Sequence, residues 1–314
     1  MRKVLLTGVN GQVGWELRRS LLTLGQVIPA SREGGNGILT LDLSQPDQIR
    51  SVIREVQPQL IVNAAAYTAV DKAESDVDLA MKVNGIAPGI IAEEARRCGA
   101  AVLHYSTDYV FDGTKNAPYV ESDRTNPLSV YGRSKLAGEL AIASVAVPHF
   151  IFRTSWVYGL RGKNFLLTML KLARERSELK VVDDQVGSPT WSVTIAQATA
   201  QILAQSVAGS VAQSLVQDAG DFSEFMGSRS GVYHLTSTGE TSWYGFAKMI
   251  FELTEGSEAR ALTSVVPIGS EFYPSPVNRP NYSLLDVGLV ERSFGLRLPG
   301  WDEALTVALE RDQP

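Results

Sequence analysis

Residues 3–14 read KVLLTGVNGQVG, an apolar run followed by a G-x-x-G-x-x-G pattern. The apolar run has the length and composition of a strand that is buried on both faces. A dinucleotide pyrophosphate needs close backbone approach and a helix N-terminus with available N–H groups. Glycines that follow a first strand and open a helix therefore predict a dinucleotide-binding turn. The residues expected against the cofactor are Gly8, Asn10, Gly11, Gln12, Val13 and Gly14.

Short apolar runs and helical stretches alternate through the first half of the chain. This alternation predicts an α/β Rossmann fold, a doubly wound parallel sheet, with a smaller C-terminal substrate-binding lobe. Side-chain caps are expected at Ser44, Ser75 and Asn164, and a further helix over Ser242–Leu253. The predicted strands are Lys3–Thr7, Gln26–Ala30, Ile38–Asp42, Leu60–Asn63, Ala101–Ser106, Phe150–Thr154, Leu179–Asp183 and Val232–Leu235.

The domain boundaries follow from where this alternation stops. Residues 1–157 are predicted to form the Rossmann domain, with returning segments at about 179–206 and 230–240. The substrate-binding lobe would take about 158–178 and 241–314. Residues 207–229 are rich in Ser, Ala, Gly and Gln, so a surface loop is expected there.

Composition limits the possible functions. The chain has 314 residues, a net charge of −5, and 44% hydrophobic and 20% charged residues, as a folded globular protein does. It has no basic footprint for nucleic acid and no apolar run long enough to span a membrane. Cys98 is the only cysteine, which excludes an intrachain disulfide and fits a cytoplasmic location.

Ser31 and Arg32 follow the second predicted strand, where the adenosine ribose would lie. An acidic residue there would bond the ribose 2′-hydroxyl and repel a 2′-phosphate, whereas a hydroxyl and a guanidinium suit a phosphate. We therefore expect NADPH to be preferred over NADH by roughly ten- to a hundredfold, with NADH still usable. The alternative is a solvated loop arginine. Further cofactor contacts are expected from Asp42, Leu43, Ala64, Ala65 and Ala66.

Tyr131 and Lys135 are four residues apart and share one face of a predicted helix. An ammonium one turn away favours the phenolate, which should lower the pKa of the phenol towards the working range. Thr107 ends the fifth predicted strand, on the sheet edge where sites of α/β proteins form. These three residues are the predicted catalytic group, in which Tyr131 and Lys135 also contact the cofactor.

Several longer motifs resemble one family. The sequence reads NAAAYTAVDKAE over 63–74, HYSTDYVFD over 104–112, RTSWVYG over 153–159 and DQVGSPT over 184–190. With the glycine motif and Tyr131/Lys135, these resemble the extended short-chain dehydrogenase/reductases, and within them the dTDP-4-dehydrorhamnose reductases. The resemblance runs from Leu5 to about Trp301.

This resemblance implies reduction of the 4-keto group of a dTDP-6-deoxyhexose by a nicotinamide cofactor. Tyr131 would protonate the forming alkoxide, Lys135 would tune Tyr131, and Thr107 would hold the oxygen. The residues implied at the substrate are Val70, Thr107, Asp108, Trp156 and Arg279, the last towards the diphosphate.

Some members of the family bind magnesium between subunits through acidic residues. Glu16 matches one such position, but Trp191–Thr194 lacks the expected carboxylate. A hard dication prefers several anionic oxygens, so we predict no metal site and a monomer or weak homodimer. Trp15, Trp243 and Trp301 are predicted to be packing residues. The three histidines lie scattered in strand patterns, so no metal site is expected from them.

Two other functions stay open. An epimerase or dehydratase of the same superfamily would keep NAD tightly bound and often adds acid–base carboxylates. A non-catalytic regulatory subunit, resembling the β subunit of methionine adenosyltransferase, would keep the fold without the reaction. The Ser31-Arg32 pair argues against the first, and an intact Tyr131, Lys135 and Thr107 argue against the second.

Overall fold

A seven-stranded parallel sheet forms the centre of the computed structural model, which describes residues 2–213, 222–256 and 261–310. Its strand order is β11-β6-β5-β4-β1-β2-β3, so the chain winds outwards in both directions from β1. This confirms the predicted Rossmann fold. The strands, in chain order, are β1 Lys3–Thr7, β2 Gln26–Ser31, β3 Leu39–Thr40, β4 Leu60–Asn63, β5 Ala101–Thr107, β6 His149–Thr154, β7 Val157–Tyr158, β8 Glu178–Val182, β9 Val186–Gly187, β10 Thr190–Trp191, β11 Gly231–His234, β12 Thr241–Ser242 and β13 Ser264–Ile268.

Helices cover both faces of this sheet, because alternate residues of each strand point to opposite faces. Val4 and Leu6 belong to one buried cluster, whereas Leu5 between them belongs to the other. The helices are α1 Gln12–Ser20, α2 Pro46–Val56, α3 Val70–Ala73, α4 Val77–Ala80, α5 Ala87–Cys98, α6 Val130–Ala143, α7 Phe165–Glu175, α8 Ser192–Gln213, α9 Phe222–Gly227, α10 Trp243–Leu253, α11 Gly288–Phe294 and α12 Trp301–Glu310.

Of the three predicted helix caps, one is right and two are wrong. Asn164 accepts from Leu167 N, as expected, and Ser242 caps α10 in the same way by accepting from Gly245 N. Helix α2 instead begins after Gln45, without a side-chain cap, because Ser44 lies one residue too early. The single helix expected from Ser75 to Cys98 is divided into α4, a π-helical segment at Met81–Ile86 and α5.

A second buried cluster lies in the smaller lobe. Strand β8 pairs with β13 in a separate two-stranded sheet, and its Leu179 and Val181 pack with Phe246 of α10. The residues from about 179 to 191 therefore pack with the smaller lobe, which corrects their predicted place in the Rossmann domain. Conversely, Val287–Leu298 contributes buried side chains to the core beside the central sheet.

The prediction of a surface loop at 207–229 is wrong for the part of this segment that the structure describes. Helix α8 continues to Gln213, and α9 buries Phe222 and Met226 in the main core. These two large side chains are enough to fix one helical turn against the sheet although the surrounding composition is polar. The remainder of that prediction, residues 214–221, lies outside the described residues. Within the described ranges, no helix combines the length and apolar composition required to cross a membrane.

Candidate active site

The glycine turn connects β1 to α1 at the carboxyl edge of the sheet. Gly8 has a φ of +71°, and a Cβ there would lie 2.6 Å from the backbone nitrogen of Ala65. Glycine is therefore required for this turn. Gly14 packs so closely against the carbonyl of Gly8 that it has no room for a side chain. The motif lets β1, β4 and α1 approach one another.

Helix α1 begins at Gln12, after Gly11, without a side-chain cap hydrogen bond. Its first N–H groups and the positive end of its dipole therefore face a turn built of small residues. Asn10 and Gly11 are exposed beside it, and Val13 is half-buried. An uncapped helix start with an exposed glycine turn fits a dinucleotide pyrophosphate.

Ser31 and Arg32 lie at the end of β2, as predicted, but their side chains differ in role. The Ser31 hydroxyl is buried and accepts a hydrogen bond from Gly34 N at 3.1 Å. Arg32 is 72% exposed and pairs with Glu33 at 2.9 Å, which lowers the pKa of the Glu33 carboxyl. Glu33 directly follows Arg32 in the sequence, so this competing carboxylate could have been anticipated.

Asp42 and Leu43 help to build the turn before α2. One Asp42 oxygen accepts from Ser44 N at 2.8 Å, while Leu43 is buried in the core below the sheet. The segment after β4 lies closer to the glycine turn, where Ala65 N donates to the Thr7 hydroxyl. Small side chains at Ala64, Ala65 and Ala66 are half-buried there.

Thr107, Asp108 and Tyr131 form one hydrogen-bonded group at the end of β5. The Thr107 hydroxyl donates to Asp108 at 3.0 Å and is also hydrogen-bonded to Tyr131. Burial raises the pKa of Tyr131 to about 12, although the Thr107 bond acts in the opposite direction. Burial also raises the pKa of Asp108 to about 6. Near neutral pH, Tyr131 therefore keeps its proton, whereas Asp108 is mostly ionised but takes up a proton more readily than an ordinary aspartate.

Lys135 lies one turn after Tyr131 on α6, and it is 2% exposed. Its Nζ donates to the carbonyl of Tyr105 at 2.5 Å and lies 3.3 Å from His104 Nε2. Burial lowers the pKa of Lys135 to about 8. The expected decrease in the pKa of the Tyr131 phenol is not observed, because burial dominates and Lys135 bonds to β5 instead.

Tyr109 connects Arg279 to the group of Thr107, Asp108 and Tyr131. The sequence analysis did not identify Tyr109. Tyr109 is hydrogen-bonded to Arg279, and its ring meets that of Tyr131 edge-on at 5.8 Å between centroids. Arg279 also donates to Asp71 at 2.7 Å. Asp71 follows Val70 at the start of α3, so the structure places Val70 and Arg279 on adjoining segments.

Trp156 follows β6 with a φ of +44°, an unusual conformation for a large side chain. Its ring stacks on Trp243 with centroids 3.6 Å apart. A Cβ at Gly187 would lie 2.7 Å from the Trp156 indole, so the DQVGSPT motif makes room for this ring. Trp243, predicted to be a packing residue, therefore also supports a candidate substrate residue.

In the described ranges, no group of three or more His, Cys, Asp or Glu side chains is arranged to hold a metal ion. Glu16 lies on α1, and its carbonyl accepts from the Ser20 hydroxyl. The absence of a magnesium requirement stays a prediction.

Comparisons with known proteins identify the family of the chain. The family model described as the RmlD substrate binding domain matches residues 1–313. A dTDP-4-dehydrorhamnose reductase from Burkholderia thailandensis is 47% identical over 306 residues, which cover 96% of each chain. Among solved structures, the dTDP-4-dehydrorhamnose reductase from Clostridium acetobutylicum has a TM-score of 0.84 and 36% identity, covering 98% of this chain and 99% of that one.

The Bacillus anthracis dTDP-4-dehydrorhamnose reductase, solved in complex with NADP, has a TM-score of 0.83 and 32% identity, covering 99% of this chain and 100% of that one. The resemblance seen in the sequence motifs is confirmed by matches over nearly the whole chain. The chain therefore belongs to the RmlD family, whose relatives include dTDP-4-dehydrorhamnose reductases.

Proposed function

We propose that the protein reduces the 4-keto group of dTDP-4-dehydro-6-deoxy-L-mannose (dTDP-4-dehydrorhamnose) to give dTDP-L-rhamnose, the last step of dTDP-rhamnose biosynthesis. The hydrogen-bonded pair of Thr107 and Tyr131, with Lys135 one helical turn away, carries the proposal. A keto reduction needs a proton donor and a second group to hold the oxygen, and this pair supplies both. The relatives named as dTDP-4-dehydrorhamnose reductases support the choice of substrate.

Tyr131 is the acid of the reaction. Because burial raises the pKa of its phenol, Tyr131 keeps its proton until an alkoxide forms beside it. A bound nicotinamide would supply the hydride to C4 of the sugar. Thr107 holds the same oxygen through its hydroxyl, and Lys135 stabilises the phenolate that Tyr131 leaves behind.

The cofactor would lie along the carboxyl edge of the sheet. The N-terminus of α1 and residues 8–14 would hold the pyrophosphate, and Ala64–Ala66 would line its path towards Tyr131 and Lys135. Ser31 and Arg32 would meet a 2′-phosphate, which supports NADPH as the preferred cofactor, with NADH possible. Asp42 and Leu43 would lie towards the adenine.

The sugar nucleotide would lie at this edge of the sheet, between residues that come from the two lobes. Trp156 offers an aromatic face, Val70 an apolar contact, and Arg279 a cation for the diphosphate. Asp108 Oδ2 is buried and has no hydrogen-bond partner among the described residues, so it can accept from a sugar hydroxyl. A cytoplasmic location and a monomer or weak homodimer also stay predictions.

The test is consumption of NADPH by the purified protein, followed by absorbance, with dTDP-4-dehydro-6-deoxy-L-mannose as substrate. We expect multiple turnovers and a dTDP-rhamnose product identified by mass and NMR. Release of bound NAD on denaturation, with epimerised or dehydrated product, would favour the epimerase or dehydratase instead. Cofactor binding without turnover of the keto sugar would favour a regulatory subunit.

A further inference from the structure

Two side-chain amides connect the glycine turn to the smaller lobe. Gln12 is the first residue of α1, and its Oε1 accepts from Asn164 Nδ2 at 2.8 Å. On the other side, Gln12 Nε2 donates to the carbonyl of Val157 at 3.4 Å, the longest contact of the series. Asn164 is the N-cap of α7, where its Oδ1 accepts from Leu167 N at 3.0 Å. A chain of hydrogen bonds therefore runs from α7 through both amides to β7.

This chain of hydrogen bonds has one direction. Leu167 N is a backbone amide and can only donate, so the oxygen of the Asn164 side chain faces it and the nitrogen faces Gln12. Val157 offers a carbonyl, which can only accept, so the nitrogen of the Gln12 side chain faces that carbonyl. Because a backbone group determines each end, neither amide can turn over without placing two donors or two acceptors against each other. The two amides therefore hold each other in one orientation.

The loop 159–164, which ends at Asn164, lies against α1. Asn164 Nδ2 also donates to the carbonyl of Gly159 at 2.8 Å, which joins the two ends of the loop. The guanidinium carbon of Arg161 lies 3.4 Å from the centroid of the Trp15 ring, which belongs to α1. A cation stacked on an aromatic ring adds to the attachment that the two amides provide. The smaller lobe is therefore fixed at two points to the helix that follows the glycine turn.

The residues bonded to Gln12 both adjoin a group of aromatic rings. Val157 directly follows Trp156 in the sequence. Asn164 directly precedes Phe165. The Trp243 ring lies 3.6 Å from that of Trp156 and 4.7 Å from that of Phe165, measured between centroids, and we call these three rings the aromatic cluster. Each bond of the Gln12 side chain thus ends one residue away from a ring of this cluster, which includes the ring proposed to contact the sugar.

We infer that Gln12 and Asn164 are positioning residues, which couple the occupancy of the glycine turn to the orientation of the aromatic cluster. A pyrophosphate bound at residues 8–14 would hold the backbone of Gln12 in place, and the Gln12 amide would pass this restraint to Val157 and Asn164. The cofactor would thereby tighten the binding of the sugar nucleotide, and the sugar nucleotide would tighten that of the cofactor to the same degree. The inference rests on the places given to the two ligands in the proposed function.

The first test observes the aromatic cluster in the absence of substrate. The indole N–H signals of Trp156 and Trp243 are recorded by NMR in full-length labelled protein, with and without saturating NADP⁺ or, if it binds more tightly, NAD⁺. Trp156→Phe and Trp243→Phe assign the two signals. We expect the cofactor to shift both signals in the wild-type protein. Asn164→Asp keeps the cap of α7, since aspartate and asparagine cap helices equally well, but it cannot donate to Gln12. We expect this variant to lose most of the shift.

Two further variants separate the lost donor from other effects. Asn164→Ser is neutral and can still cap α7, but it lacks the nitrogen that reaches Gln12, so it should behave as Asn164→Asp does. Thr168→Val is the matched control, because it removes a hydroxyl that donates to the Asn164 carbonyl at 2.7 Å and leaves both side-chain amides unchanged. It should shift as the wild type does. Undiminished shifts in both Asn164 variants, or shifts lost equally in Thr168→Val, would overturn the inference.

The second test measures the coupling between the two ligands. Calorimetry gives the Kd of dTDP with and without saturating cofactor. We expect the cofactor to lower this Kd about fivefold or more in the wild type and in Thr168→Val, and about twofold or less in the two Asn164 variants. The same ratio in all four proteins would overturn the inference. If dTDP does not bind at all, the proposed substrate is wrong, whereas the indole signals still decide whether Gln12 and Asn164 connect the cofactor to the aromatic cluster.

Discussion

The carboxyl edge of the central sheet carries positive charge in two different ways. At the end of β2, Arg32 is exposed and already paired with the adjacent Glu33. Around β5 and α6, Lys135 is buried, donates to the Tyr105 carbonyl and lies beside His104. An exposed ion pair contributes little, whereas a buried polar group is strongly influenced by each of its partners. We therefore expect substitutions at the Tyr131 end to affect the reaction far more than those at the Arg32 end.

The largest effect is expected from Tyr131→Phe, which keeps the ring and removes the acidic proton. We predict that kcat falls by about 10² or more, the usual contribution of a general acid, while the affinity for the cofactor changes little. Steady-state kinetics and cofactor titration measure the two quantities. A near-normal kcat would show that Tyr131 is not the acid, and that substitutions near Tyr131 need not affect the reaction more than those near Arg32.

Gly187→Ala tests whether the Trp156 ring positions the sugar nucleotide. The new Cβ would lie 2.7 Å from the Trp156 indole, so the ring must move away from its stack with Trp243. We predict that KM for the sugar nucleotide rises about tenfold, because small displacements of positioning groups are costly. Gly231→Ala is the control, since a Cβ there meets nothing within 4 Å. Equal kinetics in both variants would mean that the Trp156 ring does not position the sugar.

Arg32→Ala tests the exposed end. The guanidinium would bond a 2′-phosphate, but it is exposed and paired with Glu33. We therefore expect the preference for NADPH over NADH to lie near tenfold, the lower end of the predicted range. We predict that the ratio of kcat/KM for NADPH to that for NADH falls about tenfold, mainly through KM for NADPH. Wild-type protein that uses both cofactors equally well would contradict this.

Glu33→Gln sharpens the same point with a smaller effect. The carboxylate that pairs with Arg32 would also repel a phosphate bound there, so its removal should favour NADPH. We expect KM for NADPH to fall about two- to fivefold, as is common for exposed charges, and KM for NADH to stay constant. The difference should shrink at high salt. A rise in KM for NADPH would show that Glu33 positions Arg32 instead of competing for it.

No effect is expected from removal of magnesium. Activity in excess EDTA should equal that of the untreated protein, because the segment after β10 lacks the carboxylate that would complete a site with Glu16. A loss of activity that only magnesium restores would show that this prediction is wrong.

The sequence predicted the parallel sheet and the positions of most of its strands well, because buried parallel strands and their glycine turn are encoded in short local patterns. It predicted the cap at Asn164 for the same reason. It failed where distant residues decide the outcome. Phe222 and Met226 form a helix in a polar segment because the core receives them, and β8 pairs with β13, more than eighty residues later.

The candidate site shows the same division. Thr107, Tyr131 and Lys135 could be selected from spacing and strand position alone. The sequence assigned no role to His104, since its contacts with Asn63 and Lys135 depend on the register between β4 and β5 and on the packing of α6, which spacing does not reveal. The contact between Tyr109 and Arg279 likewise joins segments that are far apart in the sequence.

The return of Val287–Leu298 to the main core has a consequence for synthesis of the protein. The central sheet receives its last strand, β11, only at residues 231–234, and the face beside it is completed by α11. A nascent chain that has emerged only through β6 therefore still exposes apolar side chains of β5 and β6, among them Phe150 and Phe152. The Rossmann domain therefore cannot complete its core during translation until nearly the whole chain has left the ribosome. Chaperones would be needed while the chain has emerged past β6 but not yet through α11.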